Sequence, residues 1–273
     1  MICLTGDVHH MSMRSTDQGH LKGTEVDASL RYMEIAESFG VKATLFVTGK
    51  CVREETDSLV KLSENKALEI GGHNYNAFRP LLPYQASGVL LKRKNGPAFV
   101  QKRDIAKTVR IIHDKLGVKI TSWRDHGYRH DRNTPKLLKA CGIENFSDVR
   151  SSEDMAPYKD EGLNHFPINV LPDHDHIFHG SYQEGPVVTS GRKPKSLLIY
   201  GAGRMDADDW LETVRRQVEK IEDKGGVATL LVHPACMEIC EDFMYFKKLC
   251  GFLSGYKTIK MGDAGGHYNE DAI

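Results

Sequence analysis

Short apolar runs rich in β-branched residues recur along the chain, and stretches with apolar positions at helical spacing alternate with them. The runs predict strands at 2–6, 43–47, 68–71, 119–123, 145–149, 197–200, 227–232 and 257–260. Between them, Asp27 reads as an N-cap, with Leu30, Met33 and Ala36 on one face and a stop at Gly40. A second helix opens at Asn133-Thr134-Pro135 and carries Leu137, Leu138 and Ala140 to Gly142. The clearest pattern follows Asp206, where Trp210, Val214, Val218 and Ile221 share one face and Gly225-Gly226 ends it. Strands this apolar, each followed by a helix, predict an α/β protein with a mainly parallel sheet covered by helices.

No internal repeat or low-complexity linker breaks the rhythm, so one domain spanning 1–273 is expected. Irregular stretches near 74–102 and 151–194 read as loop insertions, the first carrying Arg79-Pro80, Leu82-Pro83 and the basic run Lys92-Arg93-Lys94. Composition narrows the function. Thirty-seven basic and 37 acidic side chains cancel, which leaves no overall positive field for nucleic acid or an anionic membrane. No run approaches the roughly 18 apolar residues of a transmembrane helix, and Met1 leads directly into a strand without a secretory signal pattern. Six cysteines form no CxxC pair or disulfide-like framework. A reducing, cytoplasmic location is the expectation.

Chemistry in a parallel α/β sheet collects where strands end. Strand one runs into Asp7-Val8-His9-His10, strand three into His73-Asn74, strand four into Arg124-Asp125-His126-Gly127-Tyr128, and the strand at 227–232 into His233-Pro234. Along an extended strand Asp7 and His9 share a face, which places a carboxylate base beside an imidazole; His10 belongs to the other face unless the strand has ended. One carboxylate, several imidazoles and an arginine brought together in this way can bind a divalent metal and activate water.

These segments resemble the polysaccharide deacetylases of the NodB-homology type, carbohydrate esterase family four. Thr5-Gly6-Asp7-Val8-His9-His10 is similar to that family's Thr-Phe-Asp-Asp-Gly-Pro strand. Ala43 through Gly49 is similar to its Ala-Thr-Phe-Phe-Val-x-Gly strand, and Glu69-Ile70-Gly71-Gly72-His73 to the start of its second motif. Arg124 through Tyr128 resembles the arginine-led third motif, and Thr229 through Pro234 the closing strand with its histidine. Among members, the pattern is nearest a variant branch that resembles WbmS-like proteins of bacterial O-antigen gene clusters. The resemblance implies a distorted (β/α) barrel of about seven mainly parallel strands. It implies hydrolysis of an N-acetyl (or N-formyl) group on an amino sugar, with Asp7 as base, Arg124 holding it, His233 as acid, and a backbone N–H around Gly127-Tyr128 at the oxyanion.

Two departures bear on the metal. Val8 stands where the family has a ligand aspartate, and Ala77 where its second motif has another histidine. The expected ligands are therefore His9, His73 and His10, with Asn74, Asn76 or water as alternatives to the last, and a histidine-rich set favours zinc. The substrate is expected to be a small-molecule or lipid-linked amino sugar of surface-polysaccharide (lipopolysaccharide) biosynthesis. Other features read as structural. Asp173-His174-Asp175-His176 reads as a solvated loop, His165-Phe166-Pro167 as a strand lining the site, and Cys236 and Cys240 as buried thiols. Gly201-Ala202-Gly203 lacks the third glycine of a dinucleotide loop. Two other functions compete, a metallophosphoesterase opened by Asp7-Val8-His9 and a catalytically degenerate sugar-binding relative.

Overall fold

The computed structural model describes residues 1–79, 95–174 and 205–266, together with Ile199. Its central strand is β1 (Ile2–Val8), buried along all seven residues. Alternation along β1 separates two cores. Ile2, Leu4 and Val8 join the large apolar layer under the helices. Cys3 faces the other way, into a smaller cluster with Phe46, Phe166 and Met261. Thr5 and Asp7 share that inward face by the same period-two rule.

Numbered in chain order, the other strands are β2 (Ala43–Val47), β3 (Leu68–Gly72), β4 (Ser122–Trp123), β5 (Asn145–Phe146), β6 (Tyr158–Asp160), β7 (Leu163–His165) and β8 (Ala228–Leu231). They lie in the order β6-β7-β5-β4-β3-β2-β1-β8. Every pairing is parallel except the edge hairpin of β6 with β7. Seven parallel strands result, the number that the family resemblance implies. Beyond β7, Asn169 reaches the far side of the row: its side chain accepts from Thr229 N at 2.8 Å and donates to Val227 O at 2.9 Å. This amide ties the chain after β7 to β8, so the strand row curls toward a barrel.

Helices α1 (Glu25–Ser38), α2 (Gly49–Glu54), α3 (Thr56–Ser63), α4 (Ala98–Leu116), α5 (Thr134–Ala140), α6 (Ala207–Asp223), α7 (Pro234–Ile239) and α8 (Met244–Leu253) follow the strands. Helix α6 matches its apolar pattern, with Trp210, Val214, Val218 and Ile221 buried and Asp206 capping it. Helix α1 starts earlier than expected, because Thr24 and Asp27 form a reciprocal capping box that makes Asp27 the third helical residue and not the N-cap. The 19-residue α4 has no counterpart in the sequence reading and reclaims the end of the first expected insertion. Its buried face is Gln101, Ile105, Thr108 and Ile112, half of it polar, which blurs the apolar stripe. The hairpin of β6 and β7 was equally illegible, since β6 is exposed at all three positions.

The expected strand at 257–260 reduces to one bridge between Ile2 and Thr258. Outside the described residues lie most of the expected strand at 197–200, the basic run Lys92-Arg93-Lys94, Gly201-Ala202-Gly203, Asp175 and His176.

Two glycines let β3 pack where a side chain would not fit. A Cβ on Gly72 would overlap the indole of Trp123, and one on Gly71 the ring of Phe46. Gly72→Ala is expected to destabilise the protein by about 1–3 kcal/mol, the usual cost of overpacking. The check is a denaturant midpoint that falls with an unchanged m-value.

Candidate active site

Arg124 follows β4 and is fully buried, yet its donors are satisfied. Nε donates to Ser147 O at 2.8 Å, Nη1 to Asp7 Oδ1 at 3.0 Å, and Nη2 to Thr5 Oγ1 and Ser147 Oγ at 2.9 and 2.7 Å. Its guanidinium also lies 4.5 Å from the Phe46 ring centroid. Burial alone would push the Asp7 carboxyl up. The surrounding His73, Arg124, His233 and His9 outweigh it and hold Asp7 well below the usual carboxylate range.

The second Asp7 oxygen faces two imidazoles. Oδ2 is 3.8 Å from His73 Nε2 and 3.8 Å from His233 Nε2. His73 follows β3 and donates Nδ1–H to the carbonyl of Arg124 at 2.9 Å, which leaves Nε2 buried and without a hydrogen-bond partner. His9 lies just past the end of β1. Its backbone N–H and its Nδ1 both meet Glu25 Oε2, at 2.8 and 3.0 Å. Glu25 opens α1 and is itself held by Gln18 Nε2 at 2.8 Å. His126 completes the group: its backbone N–H donates to Asn74 Oδ1 at 2.8 Å. The rings of His9, His73 and His126 stand 5.1 to 5.5 Å apart, and one ring nitrogen from each lies within 4.8 Å of the others.

Burial lowers His73 to about 4 and His126 well below its ordinary value, so both imidazoles are neutral at physiological pH. Burial also acts to lower His9, but the Glu25 carboxylate overrides it and raises that ring. An orphaned buried Nε2 on His73, beside two more imidazoles, fits a metal of the zinc type. Two of the three rings are oriented from behind by a carboxylate or a carbonyl, as ligating histidines usually are.

His233 caps α7 and is gripped twice by Asp173. Its backbone N–H donates to Oδ2 at 2.7 Å, and its Nδ1 lies 2.8 Å from Oδ1. Asp173 is fully buried, which corrects its reading as part of a solvated loop. His174 beside it pairs with Asp17 at 3.1 Å. Asp7, His9, His73, His126 and His233 line a cleft of about 470 Å³, with Tyr128, Arg14, Arg79 and Cys236 also in its wall.

The structure thus brings Asp7, His9, His73, Arg124 and His233 together, and sets His10 apart. His10 is fully buried, with Nδ1 3.1 Å from the hydroxyl of Thr48, and burial pushes its ring down to about 4. Strand β1 has ended before His10, so the chain turns it under α2 and away from the trio. Tyr128 lines the cleft, but its backbone N–H donates to Asp125 O at 3.0 Å and so does not point at an oxyanion. The reserve ligands fail for similar reasons. Asn74 spends its amide on Asp104, Asp125 and the backbone of His126, and Asn76 donates to the carbonyl of Arg79. His165 stacks on Tyr158 with ring centroids 5.1 Å apart and does not line the cleft. His126, Asp173 and Glu25 carry no site role in the sequence reading; the spacing of Arg124 and His126, which repeats that of Asp7 and His9, is the available signal for the first.

Compared with protein families, residues 17–146 match the polysaccharide deacetylase model. The match covers just under half of the chain and agrees with the NodB-type resemblance of its motifs. The matched family supports an amidohydrolase-type deacetylase. The matched stretch holds Glu25, His73, Arg124 and His126, whereas Asp7, His9, Asp173 and His233 lie outside it. A search of curated proteins found no match to this chain.

Among solved structures, a protein from Mycobacterium smegmatis assigned as a polysaccharide deacetylase is similar, with a TM-score of 0.72 at 16% identity over 97% of this chain and 89% of that one. PuuE allantoinase gives 0.65 at 11% identity, over 99% and 91%. A carbohydrate esterase family four pseudoenzyme from Bacillus anthracis gives 0.53 at 15%, over 97% and 65%. Likeness at these identities shows the fold alone. One frame hosts an allantoinase and a pseudoenzyme, so activity in this chain has to be argued from its site.

Because the folded pKa of Asp7 lies below its unfolded value of about 3.9, the stability it contributes is complete above about pH 4 and is lost as pH falls toward the folded value. Arg124→Gln leaves that buried carboxylate without its cation. It is expected to cost about 3–5 kcal/mol at pH 7 and to shrink the stability difference between pH 7 and pH 3, as read by melts across that range.

Proposed function

We propose that the protein is a metal-dependent hydrolase that removes an N-acetyl (or N-formyl) group from an amino sugar. One observation carries the reading: the ionised Asp7 stands 3.8 Å from His73 on one side and 3.8 Å from His233 on the other. A base therefore lies between a cluster of imidazoles and a further histidine placed to act as acid. His9, His73 and His126 would hold the cation, and zinc suits a set of three imidazoles with no carboxylate. When bound, zinc would polarise the amide carbonyl and acidify water in the cleft.

The protein's own groups handle the protons. Asp7 accepts one from the attacking water, and the Arg124 fork keeps the carboxylate ionised and aimed. His233 in its doubly protonated form gives the Nε2 proton to the departing amine as the carbon–nitrogen bond breaks. Asp173 at Nδ1 stabilises that imidazolium and fixes the ring's orientation. Tyr128 supplies cleft wall, with Arg150 4.6 Å above its ring. Water, Asp7 and His233 thereby balance the reaction, an amide and water yielding a free amine and a carboxylic acid.

A cytoplasmic sugar precursor, nucleotide- or lipid-linked, in surface-polysaccharide or O-antigen biosynthesis is the biological setting we infer. Six free cysteines accord with a reducing compartment. Among the described residues no helix is long and apolar enough to cross a membrane.

Acetate release from N-acetylated sugar nucleotides and lipid-linked sugars tests the reading. Asp7→Asn and His233→Ala are each expected to lower kcat by about 10²- to 10⁴-fold. Chelation should abolish turnover and zinc should restore it. Glu25→Gln is expected to weaken zinc binding about 10- to 100-fold, measured against a competing chelator. Glycan binding that ignores chelator, without acetate release, would instead establish a degenerate sugar-binding protein.

A further inference from the structure

The carboxylates that line the cleft are already matched from within. Asp7 faces Arg124 at 3.0 Å, Glu25 faces His9 at 3.0 Å, and Asp17 faces His174 at 3.1 Å. Nearby arginines are engaged as well: Arg129 lies over Phe78 and Arg150 over Tyr128. Two guanidinium groups in the cleft wall differ. Arg14 and Arg79 line it, are exposed, and form no ion pair among the described residues. After the internal charges are matched, the cleft retains two cations and, among the described residues, no anion to answer them.

Both arginines stand on loops whose backbones are fixed. Arg14 caps the turn Met11–Met13 in the left-handed region at φ 52, with its N–H donating to Met11 O at 3.1 Å. A non-glycine residue rarely holds that conformation, and ligand clamps are among the places where it persists. Arg79 donates its N–H to Asn76 O at 3.1 Å, and the Asn76 side chain donates back to the Arg79 carbonyl. The first loop leaves β1 next to His9, the second leaves β3 next to His73. Two forks on separate loops thus flank the imidazole trio, and a guanidinium is the side chain whose planar donors match phosphate or carboxylate oxygens in pairs.

We infer that Arg14 and Arg79 form an anion subsite in the cleft wall, so that the amino sugar processed here carries a phosphate or carboxylate group. The inference rests on the deacetylase reading for what happens to the sugar, and on the unanswered cations for what the sugar bears. A cleft of about 470 Å³ has room for a sugar with such a substituent. The anion directs the sugar's position relative to Asp7, and attraction by exposed cations weakens as salt is added.

Calorimetry and acetate release on the full zinc-loaded chain test this together. Neutral N-acetylglucosamine is compared with its 1-phosphate, its UDP conjugate and the carboxylate-bearing N-acetylmuramic acid. The charged probes are expected to bind about 10- to 100-fold more tightly than the neutral sugar, the range for charge-assisted hydrogen bonds. Arg14→Gln and Arg79→Gln should each raise KM for charged probes far more than they lower kcat, and bring the charged-to-neutral ratio toward one. Arg53→Gln, on α2 and outside the cleft, serves as the charge control. Stronger binding of phosphate than carboxylate probes identifies a phosphorylated or nucleotide-linked sugar, and the reverse a uronic or lactyl acid. Equal binding of neutral and charged sugars, or unchanged KM in both variants while acetate is still released, overturns the subsite and leaves the deacetylase intact. Charge-selective binding that the variants abolish, without acetate release from any probe, keeps the subsite and overturns the deacetylase.

Discussion

A fully buried arginine organises the inside of this protein. Four hydrogen bonds from the Arg124 side chain join β1 to the segment that follows β5, through Asp7, Thr5 and Ser147. Two of its acceptors are anchored onward, Thr5 to Leu230 O in β8 and Ser147 to Phe166 O after β7. A cation in such a place is tolerable only because it is paired and its donors are met. The reward is specificity of position: strands at both sides of the sheet are held to one point, and the carboxylate at that point stays ionised. Its main chain does a second task, since the Arg124 carbonyl fixes the ring of His73. Base and imidazole are therefore oriented by the same residue.

The site shows a repeated design in which each reactive ring has one nitrogen held from behind and the other left toward the cleft. Glu25 holds His9, the Arg124 carbonyl holds His73, and Asp173 holds His233. Asn74 performs the same service for the backbone of His126 and is itself locked by Asp104 and Asp125, at 3.2 and 2.9 Å. Burial raises the Asp104 carboxyl to about 6 and raises Asp125 as well. Orientation at the rim of the cleft thus depends on acids packed beneath it.

Sequence reasoning reached the strands whose apolar runs are unbroken, and β2 agrees with its expected limits because Ala43–Val47 is buried throughout. It also reached the strand-end residues Asp7, His73, Arg124 and His233, since period-two alternation and strand ends are local properties of the chain. What it missed is tertiary. Helix α4 hides its face behind Gln101 and Thr108, polar residues whose burial depends on partners such as Asp131 and Asp104. Asp173 reads as solvated because its neighbours are polar, while its burial comes from a contact 60 residues away. The departures at Val8 and Ala77 are visible in sequence, but the approach of His126 to His9 and His73, beside a left-handed Gly127 and the Asn74 bridge, is not.

The Arg124 hub also separates two kinds of change. The carboxylate and imidazoles of the cleft are braced from the strand ends and from the first turn of a helix, and much of the outer wall sits on loops beyond them. Insertions or exchanges in those loops leave the brace untouched, so such a scaffold can change what its cleft accepts while the groups beneath keep their alignment. Substitution at the hub has the opposite reach, altering acid, base and ring alignment together.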